Sequence, residues 1–255
     1  MRLAGKVAVI TGAAAGMGLA LATRFAAEGA SVVAGDWHSE RLDQALSTIK
    51  ASGGKIVGAQ GNIADRATAE HLIDLAVSEF GRIDILVNNA GVMDYMQGVA
   101  ELEDDIWRKI FAINVDGPMF TSRRAVQEML KQGGGGSIIN IASIAGVSGA
   151  SAGCAYTVAK HGVVGLTRQT AWRYAKDGIR CNAICPGAVK TNIQETMPED
   201  RVDQVGFARA WEFNALTPAF LEPSDVASLG LFLASDEGRS ISAAIIPVDA
   251  GWKAC

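Results

Sequence analysis

Short apolar runs recur along the chain at residues 6–12, 31–36, 55–62, 84–91, 137–143, 179–187 and 243–251. Most of them are continuous rather than alternating, the pattern of strands covered on both faces. Between them lie segments whose apolar residues return with helical spacing, at 16–29, 39–52, 65–80, 101–131, 154–177 and 224–235. Strand and helix in turn predict a seven-stranded parallel sheet with right-handed crossovers and helices on both faces, a doubly wound α/β fold. Such sheets bind ligands beyond the carboxyl ends of their strands. The residues that end each apolar run are therefore the ones to read for chemistry.

The 255 residues suit one large domain spanning 1–255. The low-complexity run at 133–136, "GGGG", reads as a loop between a helix and a strand rather than as a linker. A formal net charge of −4 with interspersed signs carries no nucleic-acid footprint. No apolar run approaches the ~18 residues of a membrane span, and "MRLAGKVAVITG" runs directly into the first strand, so a cytoplasmic protein is expected. Cys181 and Cys185 fall in one predicted strand. Four strand residues span roughly 13 Å, too far for the ~4.4–6.8 Å Cα separation of a disulfide. With Cys154 and Cys255 they are expected to be reduced thiols, and no pair at ligand spacing supports a metal.

The stretch "VITGAAAGMGLALA" at 9–22 places Gly12, Gly16 and Gly18 between the first strand and the first helix. Bare backbone at that turn lets a pyrophosphate reach the N–H groups of the helix start. Asp36 ends the second strand, where a carboxylate can accept hydrogen bonds from an adenosine ribose. It would repel a 2′-phosphate, and neither Ala14 nor Ala15 offers a compensating charge, so NAD is favoured over NADP. The fold expectation becomes a Rossmann-type domain. Tyr156 and Lys160, four residues apart in a helical segment, share one face. An ammonium a few Å away, with the positive nicotinamide ring of NAD⁺, favours the phenolate, which would make Tyr156 an acid/base at neutral pH.

"TGAAAGMG" resembles the TGxxxGxG fingerprint of the short-chain dehydrogenase/reductase family, in its branch of about 250 residues. "NNAG" at 88–91, Asn114 in "INVDG", Ser143 in "NIAS", "YTVAK" at 156–160 and "PGAVKT" at 186–191 extend the resemblance over essentially the whole chain. It implies hydride transfer between a nicotinamide and a secondary alcohol or ketone. Ser143 would hold the substrate oxygen, Tyr156 would exchange the proton, and Lys160 with the Asn114 carbonyl would complete a relay. Cofactor contacts are implied at Gly12, Ala15, Gly16, Met17, Gly18, Asp36, Trp37, Asn62, Ile63, Asn89, Ala90, Gly91, Tyr156, Lys160, Pro186, Gly187, Val189 and Thr191. Asn62 departs from the family's usual Asp, and "VDAGW" near the end departs from the commoner "VDGG", which bears on packing at a subunit contact.

By the same resemblance the substrate pocket is walled by Met93 to Met96, by Ile144, Val147, Ser148, Ala150 and Cys154, and by a loop at about 188–222. That loop carries Met197, Phe207, Trp211 and Phe213, which either cover an apolar or cyclic substrate or pack as a short helix. No cluster of Arg and Lys stands ready for a charged substrate. Two rival readings are a 3-oxoacyl carrier-protein reductase, with Lys131 and Arg173 as candidate basic surface, and a non-catalytic NAD-binding sensor or scaffold. Asp36 opposes the first and intact Ser143, Tyr156 and Lys160 oppose the second. The family also implies a homotetramer and no membrane or nucleic-acid partner.

Overall fold

The computed structural model describes residues 1–254, so the Cys255 expectation lies outside the described residues. The strands are β1 (Val7–Thr11), β2 (Ser31–Asp36), β3 (Lys55–Gln60), β4 (Ile85–Asn88), β5 (Gly136–Ile141), β6 (Ile179–Pro186) and β7 (Ile245–Val248). All pair in parallel in the order β3-β2-β1-β4-β5-β6-β7. Strand order reverses between β1 and β4, which is where such a sheet opens a crevice at its carboxyl edge.

Eight α-helices connect them: α1 (Gly16–Ala27), α2 (Ser39–Ala51), α3 (Arg66–Phe80), α4 (Asp104–Phe111), α5 (Gly117–Gln132), α6 (Cys154–Tyr174), α7 (Gln204–Asn214) and α8 (Pro223–Ala234). Alternation along β1 divides the core. Ala8 and Ile10 pack with Leu21 and Phe25 of α1 and Leu231 of α8, whereas Val7 and Val9 pack with Leu72 and Ile73 of α3 and Met129 of α5. Each such large apolar side chain, taken fully out of water, contributes about 1.5–3 kcal/mol. Both faces are thereby covered, which explains why the strands read as unbroken apolar runs.

Three differences from the sequence expectation are instructive. The long segment 101–131 is divided by a π-helical stretch, Ala112–Asp116, where Gly117 N–H donates to the Ala112 carbonyl. Helix α5 then starts with Gly117 and Pro118. The predicted strands at 84–91 and 243–251 shorten to four residues each, the flanking residues running on as loops outside the ladder. The segment 188–222 is part helix, with two short 3₁₀ turns and α7.

Candidate active site

The β1–α1 turn is held from behind by the loop after β4. Asn89 Nδ2 donates to the carbonyls of Thr11 (2.9 Å) and Gly12 (3.0 Å), while Thr11 Oγ1 accepts from the N–H groups of Asn89 and Ala90. Gly12 has φ +63°, and a side chain there would meet the Ala90 backbone at 2.9 Å. Gly18 lies so close to the Gly12 carbonyl and Asn89 that a Cβ would overlap both, so it fits the helix to the turn rather than to the sheet face. Helix α1 has no side-chain cap and no acid in its first turn, which leaves its positive end to an anionic ligand.

Asp36, at the end of β2, accepts from Ala14 N–H (3.0 Å) and His38 N–H (3.0 Å), which fixes its carboxylate beside the turn. Trp37 next to it is largely exposed and edge-on to His38. Asn62 is exposed just beyond β3, its Oδ1 accepting from Ala64 N–H, and Ile63 is buried. Across the crevice, Pro186 ends β6, Gly187 N–H donates to Val248, and Val189 bridges Leu221. A cleft of ≈ 730 Å³ runs between Ala15, Gly16 and Arg41 on one side and Lys190, Thr191, Asn192 and Glu195 on the other. Arg41 and Glu195 pair across it at 2.9 Å. These residues fit a dinucleotide: bare backbone at a helix start, a carboxylate at the ribose position and a wall at Thr191.

Ser143, Tyr156 and Lys160 meet just beyond β5. The Ser143 side chain stands close enough to the Tyr156 phenol to act on it, and its Oγ accepts from Ala145 N–H at 3.1 Å. Lys160 Nζ donates to the Ile141 carbonyl (2.9 Å) and lies 5.4 Å from the centre of the Tyr156 ring. Burial pushes the Tyr156 phenol above its ordinary pKa, against the opposing pull of the Ser143 side chain, with the Asp94 charge adding to the rise. Burial pushes the Lys160 ammonium down to about 8. The protein's own groups therefore do not pull the phenol into the neutral range. The lowering expected from the Lys160 ammonium together with a nicotinamide ring is thus not met by the protein's own groups, among which burial of the phenol prevails.

Asn114 is buried in the π-helical stretch, and its amide is fully engaged, with Oδ1 accepting from Val92 N–H and Nδ2 donating to Val92 O. A methyl placed on Gly91 would stand 3.1 Å from Asn114 Oδ1 and 3.5 Å from Lys160 Nζ, which locates the three residues together. Asn88 braces β4, donating to Asn140 Oδ1 (2.8 Å) and Ser122 Oγ (3.0 Å).

Of the expected pocket wall, Met96, Ala150 and Cys154 line a cavity of ≈ 570 Å³ beside the start of α6, together with Phe213 and Thr157. Asp94 is buried and turned into the protein, accepting from the N–H groups of Met96, Gly153 and Tyr156. The sequence signal for that role is negative, since "SAGCAY" supplies no capping side chain where α6 begins. Trp252 was also unforeseen. It packs inside the chain, 5.0 Å from Phe213 ring to ring with Nε1 donating to Phe213 O, rather than only at a subunit contact.

A nucleotide crevice joined to a Ser, Tyr and Lys group defines a dinucleotide-dependent oxidoreductase site. The family profile described as enoyl-(acyl carrier protein) reductase matches residues 12–253. The chain is 40% identical over 254 residues to 3beta-hydroxysteroid dehydrogenase 2 of Eggerthella lenta, covering 99% of this chain and 96% of that one. It is 40% identical over 252 residues to meso-2,3-butanediol dehydrogenase of Serratia marcescens, covering 98% and 96%. Among solved structures, a short-chain dehydrogenase of Mycobacterium paratuberculosis bound to NAD superposes with TM-score 0.89 at 35% identity over 100% of both chains. The protein belongs to the short-chain dehydrogenase/reductase family and is an oxidoreductase of alcohols or ketones.

Proposed function

We propose that the enzyme uses NAD(H) to interconvert a neutral, apolar or cyclic secondary alcohol and its ketone, with Tyr156 exchanging the proton. The grouping of Ser143, Tyr156 and Lys160 beside the glycine turn carries this reading. Bound nicotinamide supplies or accepts the hydride. Ser143 and Tyr156, whose side chains stand near each other, hold the carbonyl oxygen between them, and Tyr156 gives its proton during reduction. Lys160 would return a proton to the phenol and be recharged from solvent through a water at the Asn114 carbonyl, as in the family's relay; Asn114 and Lys160 both lie beside Gly91. The raised phenol pKa keeps that proton in place through neutral pH, so ketone reduction stays level there while alcohol oxidation climbs with pH.

The fixed Asp36 carboxylate supports NAD over NADP. The neighbouring contacts at Ala15, Met17, Trp37, Asn62, Ile63, Ala90, Pro186, Gly187, Val189 and Thr191 follow the family pattern around the same crevice. The ≈ 570 Å³ cavity suits a small ring system, and its one basic residue, Arg209, is ion-paired with Glu212. The relatives' names, a hydroxysteroid and a butanediol dehydrogenase, agree with a neutral alcohol. An acidic carrier protein finds little to dock on, because Lys131 pairs with Glu128 and Arg173 lies over the Tyr174 ring. Helix α6 exposes Val158 and Trp172, a face suited to the family's tetramer, which light scattering would test. The unpaired cysteines Cys154, Cys181 and Cys185 agree with the cytoplasm.

Absorbance at 340 nm with NAD⁺ or NADP⁺ and a panel of cyclohexanol, a 3-hydroxysteroid, 2,3-butanediol and a hydroxyacyl thioester tests the reading. Turnover with NAD⁺ and a cyclic alcohol is expected, and Asp36→Ala should narrow the gap between cofactors by at least ~10-fold. Preference for NADP⁺ or for the thioester would contradict it.

A further inference from the structure

Helix α6 carries Tyr156 in its first turn, yet its N-cap is Gly153, which has no side chain to answer the first N–H groups. The loop after β4 answers them instead. Asp94 Oδ2 accepts from Tyr156 N–H at 2.8 Å, Oδ1 accepts from Gly153 N–H at 3.2 Å, and the Gln97 carbonyl accepts from Cys154 N–H at 2.9 Å. Oδ1 also accepts from Met96 N–H at 3.2 Å, which folds the loop around the carboxylate. The fit is tight: a methyl on Gly153 would stand 2.6 and 2.7 Å from the two carboxylate oxygens. An anion at a helix start is favoured by the helix dipole as well as by its hydrogen bonds.

The same loop is tied to the substrate segment. Met93 N–H donates to Thr196 Oγ1 at 3.0 Å, and Asp203 N–H donates to the Tyr95 carbonyl at 2.9 Å. Asp94 thus lies between the segment that covers the substrate and the backbone of the residue that exchanges the proton. We propose that Asp94 is a positioning residue: by gripping the Tyr156 N–H from another loop it sets where the phenol stands relative to Ser143, and it couples that placement to the seating of residues 196–203. The proposal rests on the reading of Tyr156 as the acid/base.

The test measures kcat, KM and NADH affinity for the parent, Asp94→Ala, Asp94→Asn, Gly153→Ala and Tyr156→Phe, with active sites counted by NADH fluorescence titration. A misplacement of about 1 Å costs on the order of 100-fold, so Asp94→Ala should lose about that much in kcat while KM and the NADH Kd stay within ~3-fold. Asp94→Asn keeps one acceptor oxygen and should recover part of the loss. Gly153→Ala, whose methyl meets the Asp94 carboxylate, should lose ~10-fold in kcat. If Asp94→Ala does not fold, Asp94→Asn and Gly153→Ala decide. Variants that merely melt earlier, with kcat per active site within ~2-fold of the parent, overturn the proposal. If Tyr156→Phe keeps its turnover, or the parent turns over no alcohol of the panel, the reading of the site fails and the proposal falls with it.

Discussion

The β1–α1 turn and the segment 188–222 face each other across one cleft and are held in different ways. The turn is fixed by backbone and by short side chains: Thr11, Asn89 and Asp36 between them make six hydrogen bonds to main-chain groups around it. The facing segment presents Val205, Trp211, Leu216 and Phe220 to the surface. It is fastened by a few points, among them the Arg41–Glu195 and Lys190–Glu222 ion pairs, the Thr196 and Asp203 contacts and the Phe213–Trp252 stack. Exposed ion pairs add only about 0–1 kcal/mol each. One wall of the cleft is thus geometrically determined, while the other belongs to the low-stability end of the molecule, from which lids are drawn. The wall that offers the helix start is fixed by backbone, and the wall opposite it is held by side-chain contacts.

Substitutions on the two walls should separate accordingly. Gly18→Val puts a branched side chain into the Gly12 carbonyl and Asn89, and is expected to cost about 4 kcal/mol or more together with loss of NADH binding. Circular dichroism melting and fluorescence titration read both effects. Lys160 gives a second contrast. Its buried ammonium, lowered from 10.5 to about 8, opposes folding. Between those values the unfolded chain holds a proton that the folded chain lacks, so stability rises with pH through that window and the penalty is full below about pH 8. Lys160→Met should therefore be inactive but more stable than the parent by about 1–3 kcal/mol at pH 7, with the gap closing towards pH 10.5. Urea melts at several pH values measure it, and a gap that does not change with pH would contradict the assignment.

On the substrate wall, Trp211→Ser should leave stability within about 0.5 kcal/mol and raise the KM for a cyclic alcohol by about 5-fold. The smallest effect concerns Ala250, which stands at φ +56° where the family commonly has Gly. Ala250→Gly relieves that conformation and should add about 0.5–1 kcal/mol, raising Tm by a few degrees without touching kcat. A lower Tm would show that Ala250 makes packing contacts that outweigh its backbone.

Period and motif made the fold readable: β2 runs over Ser31–Asp36 as expected, the glycine turn, Asp36, Ser143 and Pro186 fall at strand ends, and Tyr156 with Lys160 falls on a helix. The Gly117–Pro118 pair announced an irregularity in 101–131, although not that it would be a π-helical turn. Long-range contacts were not readable. Asp94 grips a backbone 62 residues away, and Trp252 stacks on Phe213 at a separation of 39, pairings that no local spacing encodes. The burial of Tyr156 was not readable for the same reason, since it is set by the whole fold and not by the four-residue interval to Lys160.

The most direct test of the account is turnover and NADH affinity in Tyr156→Phe. The phenol hydroxyl is the only group removed, so turnover should fall by about 10²–10⁴-fold while the NADH Kd stays at the parent value. Turnover within ~10-fold of the parent would contradict the assignment of Tyr156 and require another group to move the proton.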